Sequence, residues 1–84
     1  VLEEQALLPL YERGLHRLRR LCREEGLPTD EPGRLRLDIT QSEFAAMLGV
    51  SRQATNELLS AFEAVGVVRR CFKAIECRTD LLPR

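Results

Sequence analysis

"TQSEFAAMLGVSRQATNELL", residues 40–59, decides how the chain folds. Thr40 stands three residues before Glu43, the spacing at which a hydroxyl takes the third residue's amide while the glutamate reaches back, so a helix is expected to begin here. Phe44, Ala45 and Leu48 supply its apolar side. Gly49 ends it, because glycine adopts the left-handed conformation that a tight turn requires. Ser51 then caps a second helix, which is expected to carry Leu58, Leu59, Phe62 and Val65 inward and to stop at Gly66. The first helix must pass close to the second, so a small residue is wanted near Ala45. Two capped helices joined in this way make a helix-turn-helix.

The second helix leaves Arg52, Gln53, Asn56, Glu57 and Ser60 on the face opposite Leu58 and Phe62. Polar residues on that side are ordinary for any amphipathic helix. Their chemistry nevertheless suits base edges. Arginine can donate a fork to the two acceptors of guanine, glutamine or asparagine can pair with adenine's acceptor and donor, and glutamate can accept from cytosine's amino group. The helix start at Thr40 offers free amides and a positive dipole end to a phosphate.

Before this segment, Leu7, Leu8, Tyr11, Leu15, Leu18, Leu21 and Cys22 recur at three- and four-residue steps, one apolar stripe of a long helix. Pro9 is expected to mark its true start, since proline suits a first turn and is costly inside. Arg13, Arg17, Arg20 and Glu24 read as a solvated face. His16 has charged neighbours and no ligand companions, so it reads as an exposed histidine. "GLPTDEPG", residues 26–33, is dense in turn formers and reads as a loop. "RLRLDI" then alternates as a short half-buried edge strand does. After Gly66, "VVRRCFKAIECR" offers two β-prone runs around a tight connection near Cys71 to Lys73, a small hairpin. "TDLLPR" is expected to pack Leu81 or Leu82 on the body.

Eighty-four residues suffice for one small domain. Thirteen Lys and Arg balance thirteen Asp and Glu. The balance is uneven along the chain, with five basic against seven acidic residues through Gly33 and eight against six from Arg34 onward. A surplus this small leaves any DNA affinity to depend on where charges sit and on backbone contacts. No apolar run approaches the roughly 18 residues of a membrane span, and no signal segment is visible. Cys22, Cys71 and Cys77 form no CxxC or Cys/His pattern, which fits reduced thiols in a cytoplasm better than a zinc site or disulfide framework. Cys71 and Cys77 could face each other across the hairpin. Neither a nucleophile with its base nor a metal-ligand spacing is present, so an enzyme is not expected.

Strand, helix-turn-helix and hairpin together describe a winged helix, an α+β fold that is mainly α: three helices, a short strand and a two-stranded wing. "ITQSEFAAMLGVSRQATNELLSAFEAVGVVRR" followed by "KAIECRTDLL" resembles the C-terminal DNA-binding domain of the Crp-Fnr superfamily of bacterial transcription regulators. The resemblance is strongest from about Ile39 to Leu82. Its elements are a threonine-capped helix with glutamate three residues on and a glycine turn into serine-arginine. A leucine-rich helix ending in glycine and a wing closed by an isoleucine and an aspartate complete it.

The resemblance implies that the helix from Ser51 enters the major groove, with Arg52, Gln53, Asn56 and Glu57 meeting base edges. It also implies that Thr40, Gln41, Ser42, Ser51 and Lys73 touch phosphate or backbone. Double-stranded DNA is the implied partner of a cytoplasmic homodimer, with RNA polymerase a further candidate. The chain opens on Val1 and reads as helix almost at once, so residues 1–84 are expected to be one domain cut from a longer regulator. Within it, 1–25 would be the leading helix, 40–66 the helix-turn-helix and 67–78 the wing. An N-terminal sensor would hold a cyclic-nucleotide-like or other effector, and no cofactor is expected in the chain itself. Many relatives carry a basic residue where Glu57 stands and an acidic one where Gln53 stands, so a different operator is expected. Thr55 stands where valine is common, and its hydroxyl can bond back to the preceding turn. Phe72 stands where a wing often turns through glycine. The competing reading is a winged helix used as a protein-interaction module, favoured by the weak net charge and by Glu57 on the presented face.

Overall fold

The computed structural model describes residues 2–84, with side chains from Pro9 onward. Its elements are α1 (Leu2–Glu25), β1 (Leu27–Pro28), β2 (Arg34–Leu37), α2 (Gln41–Leu48), α3 (Arg52–Ala64), β3 (Val68–Cys71), β4 (Ala74–Arg78) and a 3-10 turn, Thr79–Leu81. Three α-helices therefore pack with one antiparallel sheet of order β1-β2-β4-β3. No helix among the described residues is long and apolar enough to cross a membrane.

The helix-turn-helix forms as its caps dictate. Thr40 Oγ1 accepts from Glu43 N at 3.0 Å and Glu43 Oε1 accepts from Thr40 N at 2.8 Å, so both halves of the capping box are made. Gly49 takes φ 69°. Its amide donates to Ala46 O and that of Val50 to Ala45 O, which satisfies the carbonyls at the end of α2. Ser51 Oγ accepts from Ala54 N at 3.0 Å and starts α3.

Phe44, Phe62, Leu18, Leu37, Leu58, Leu59 and Ile75 are fully buried and join the three helices to one face of the sheet. Tyr11 meets Phe62 edge-on, with ring centroids 4.9 Å apart. α3 packs tightly on α1 at Gly14, where a Cβ would lie 2.8 Å from Leu58 Cδ2 and 3.0 Å from Phe62 Cζ. Besides the small Ala45, the long helix thus carries its own small residue where α3 is seated.

Several expectations change. The leading helix runs from Leu2 straight through Pro9. Proline keeps a helical φ, and the helix continues despite the lost bond to the fourth residue before it and the crowding of that residue's carbonyl by the ring. The side chains of Leu7 and Leu8 lie outside the described residues, and Leu10 adds a buried position to the stripe. "GLPTDEPG" is not all loop, because Leu27 and Pro28 pair with Arg36 and Leu35. That pairing moves β2 off the edge, leaving it between β1 and β4. The wing strands β3 and β4 consequently belong to a four-stranded sheet.

Val65 is 57% exposed, contrary to its expected inward position. α3 stops at Ala64, and the chain turns through Gly66 at φ 81° so that Val67 fills the core instead. Arg13 is more than solvated surface, since its guanidinium donates to Leu48 O at 2.6 Å and holds the last turn of α2. Cys71 lies opposite Ala74, and Cys77 opposite Val68. The two thiols do not face each other across the hairpin. Buried Cys77 instead meets Cys22 of α1, and that contact together with burial holds its thiol far above the usual range. Leu82 packs on the body while Leu81 is exposed.

Candidate nucleic-acid interface

One side of the molecule gathers the start of α2, the outer face of α3 and the tip of the β3–β4 hairpin. Burial of Thr55, Leu58, Leu59 and Phe62 sets the roll of α3, and the Thr55 hydroxyl is satisfied within the helix, donating to Ser51 O at 2.9 Å. With Thr55, Leu58, Leu59 and Phe62 inward, Arg52, Gln53, Asn56, Glu57 and Ser60 are all exposed. Arg52, Gln53 and Glu57 make no side-chain hydrogen bond or ion pair among the described residues, so their donors and acceptors face solvent. At about 100° of turn per residue, Gln53 and Ser60 lie near the middle of the exposed arc and Glu57 toward its far side.

Asn56 is not free. Its Oδ1 accepts from Arg70 Nη1 at 2.8 Å and from Gln41 Nε2 at 3.4 Å. Arg70, on β3, also donates through Nη2 to Ser60 Oγ at 3.0 Å and to Glu63 Oε1 at 2.7 Å. Its Nε reaches Glu63 Oε1 at 3.0 Å, and its backbone amide reaches Glu63 Oε2 at 3.1 Å. The Arg70 guanidinium beside Glu63 holds that carboxyl below the usual carboxylate range.

Arg70 was not among the site residues that sequence reasoning selected. A signal for it existed: period-two alternation along β3 puts Arg70 on the same side as buried Val68, and an arginine aimed toward the helices needs a partner there.

The residues expected at phosphates are divided. Thr40, Gln41 and Lys73 line one narrow cleft together with Arg70. The Thr40 and Ser51 hydroxyls are used as acceptors by the helix caps and keep their own protons to donate. Gln41 is half-buried and tied to Asn56, whereas Ser42 is exposed. The wing turn puts its left-handed residue at Lys73, φ 54°, and not at Phe72. Phe72 is 89% exposed at the tip, with Lys73 Nζ 5.4 Å from its ring centroid. Among the described residues no group of His, Cys, Asp and Glu could hold a metal ion.

This arrangement has known counterparts. Catabolite activator protein from Thermus thermophilus superposes with a TM-score of 0.76 at 27% identity, over 93% of this chain and 33% of its own. The CO-dependent transcription factor CooA from Carboxydothermus hydrogenoformans, in its imidazole-bound form, gives 0.75 at 25% identity, over 92% and 35%. CprK, at 14% identity and a TM-score of 0.68, shares the fold. No curated protein matches the sequence. The chain spans about a third of the length of these solved relatives. The model of the Crp-like helix-turn-helix domain matches residues 12–79, so the chain belongs to the Crp-like helix-turn-helix family of the Crp-Fnr regulators.

Proposed function

We propose that this chain is the DNA-binding output domain of an effector-responsive bacterial transcription regulator, with α3 lying in the major groove. The observation that carries the reading is the solvent-facing set Arg52, Gln53 and Glu57 on a helix whose roll is fixed by buried Thr55 and Leu58. Those side chains supply a fork donor, a donor–acceptor amide and an acceptor, which is the chemistry of base-edge reading. The open amides at the starts of α2 and α3, the hydroxyls of Thr40, Ser42 and Ser51, and Lys73 at the wing tip would hold the backbone phosphates. With a neutral net charge, such local contacts carry the affinity.

In the complete regulator, residues 1–84 would follow a sensor domain that takes a cyclic-nucleotide-like or other small effector. The working unit would be a cytoplasmic homodimer on a two-fold symmetric site, its α3 helices about 34 Å apart, one turn of DNA. Effector binding would shift the population of arrangements with that spacing. RNA polymerase is the further partner expected at a promoter.

Selection from a random duplex library tests the reading. The chain should enrich a defined sequence, and Arg52→Ala should relax one guanine position by about 1–3 kcal/mol of discrimination. No enriched sequence, or enrichment indifferent to Arg52, would sink base reading by this face. The bare aromatic tip at Phe72 favours a second reading, a protein-interaction module. Salt separates the two, because DNA affinity should fall steeply with ionic strength while an apolar protein contact should not.

A further inference from the structure

The Arg70 cluster shapes what the recognition face can read, an inference that rests on the DNA-binding function proposed above. Arginine carries five N–H donors and no acceptor. Here Nε bonds Glu63, Nη2 bonds Glu63 and Ser60, and Nη1 bonds Asn56 and, at 3.5 Å, Gln41 Oε1. Every donor is therefore occupied inside the protein, and the charge is matched by the Glu63 carboxylate at 2.7 Å. Arg70 is not available to DNA without dismantling this cluster, which joins β3 to both helices of the helix-turn-helix.

The consequence falls on Asn56. Because Arg70 can only donate, the Asn56 atom it touches must be the amide oxygen. Gln41 Nε2 also approaches that oxygen, at 3.4 Å, so two protein donors compete with any base for it and the 2.8 Å bond to Arg70 is the stronger. What Asn56 has left for the groove is its NH2, a pure donor. The usual asparagine–adenine pair needs the oxygen to accept from adenine N6 while the NH2 donates to N7. That pair is closed here. Guanine, whose O6 and N7 both accept, is the base a donor-only Asn56 fits best.

We propose that Arg70 is a specificity-determining positioning residue: by holding the Asn56 oxygen, it turns an adenine-type reader into a donor that selects guanine.

The test is duplex-library selection with four forms of the 84-residue chain, each checked for folding by circular dichroism. Asn56→Ala identifies the position that Asn56 reads, as the column whose preference disappears. In that column the wild type should favour guanine over adenine by about tenfold, the size of one good side-chain–base pairing. Arg70→Met frees the oxygen and should shift the column toward adenine by a similar factor. Asn56→Asp keeps the bond to Arg70 and presents an outward acceptor in place of the donor, so it should move the column to cytosine. This last variant decides the matter if Arg70→Met does not fold. Adenine favoured by the wild type, an unchanged column in folded Arg70→Met, or guanine retained by Asn56→Asp would each overturn the role of Arg70 while leaving DNA binding intact. Absence of any enriched sequence with the wild type would overturn DNA reading itself, and this inference with it.

Discussion

Thr55 is one of the buried side chains that set how the opposite face of α3 is presented. Its buried hydroxyl donates to Ser51 O, a carbonyl that already accepts the Thr55 amide at 3.0 Å. Removing the hydroxyl would leave no orphaned acceptor, and valine has nearly the same shape. Thr55→Val should therefore lie within about 1 kcal/mol of the wild type, since it loses one modest net hydrogen bond and leaves no buried group unsatisfied. Urea denaturation reads this directly; a loss well beyond that figure would mean the hydroxyl anchors the start of α3. Arg70 is the contrasting residue. Its partners lie 7 to 29 positions away in sequence, so no local rule predicts which of them it meets.

At the scale of elements, the turn between α2 and α3 rests on Gly49. A Cβ there would meet nothing within 4 Å, so any cost of a side chain comes from the backbone alone. Gly49→Ala should lose about 1–2 kcal/mol, the price of left-handed φ for an L-residue, and Gly49→Asn less, because asparagine tolerates that region. Thermal melts should rank glycine above asparagine above alanine; equal melts would show that the turn can relax. A different constraint applies at Gly14, where space is lacking. Overpacking of about 1–3 kcal/mol against Leu58 and Phe62 should outweigh a helix-propensity gain of up to about 1 kcal/mol. Gly14→Ala should accordingly lower the melting temperature, and a rise would show that these two core side chains give way freely.

The molecule as a whole is 40 × 22 × 21 Å. Wing and recognition helix share one buried core through Leu59, Phe62, Val68 and Ile75, and Arg70 adds a clasp on Glu63 through side chain and backbone. The Glu63 carboxyl titrates below its unfolded value, so its contribution is fully present above the ordinary carboxylate range and is lost as the pH falls through the folded value. The side chain is a third exposed, which limits the pair to about 0.5–1 kcal/mol. Glu63→Gln should thus be less stable than the wild type at neutral pH, with the gap closing as the pH falls below the ordinary carboxylate range. A gap independent of pH would assign the loss to packing.

Local chemistry determined a good deal without any structure. Capping residues, a left-handed glycine and 3.6-residue periodicity act within a few positions, so the two helices at Thr40 and Ser51, the turn at Gly49 and the exposure of Arg52, Gln53 and Glu57 were legible in residues 40–59 alone. The resemblance of Ile39 to Leu82 to the Crp-Fnr domain was legible for the same reason. Only the tertiary structure decided the rest. The pairing of Leu27 and Pro28 with β2 and the meeting of Cys22 with Cys77 depend on segments that no local periodicity links, and the exit of Val65 on where the chain turns at Gly66 so that Val67 fills the core. Above all, the open or engaged state of the Asn56 oxygen was settled by an arginine on another element, because a hydrogen bond depends on where chains meet in space and not on their order.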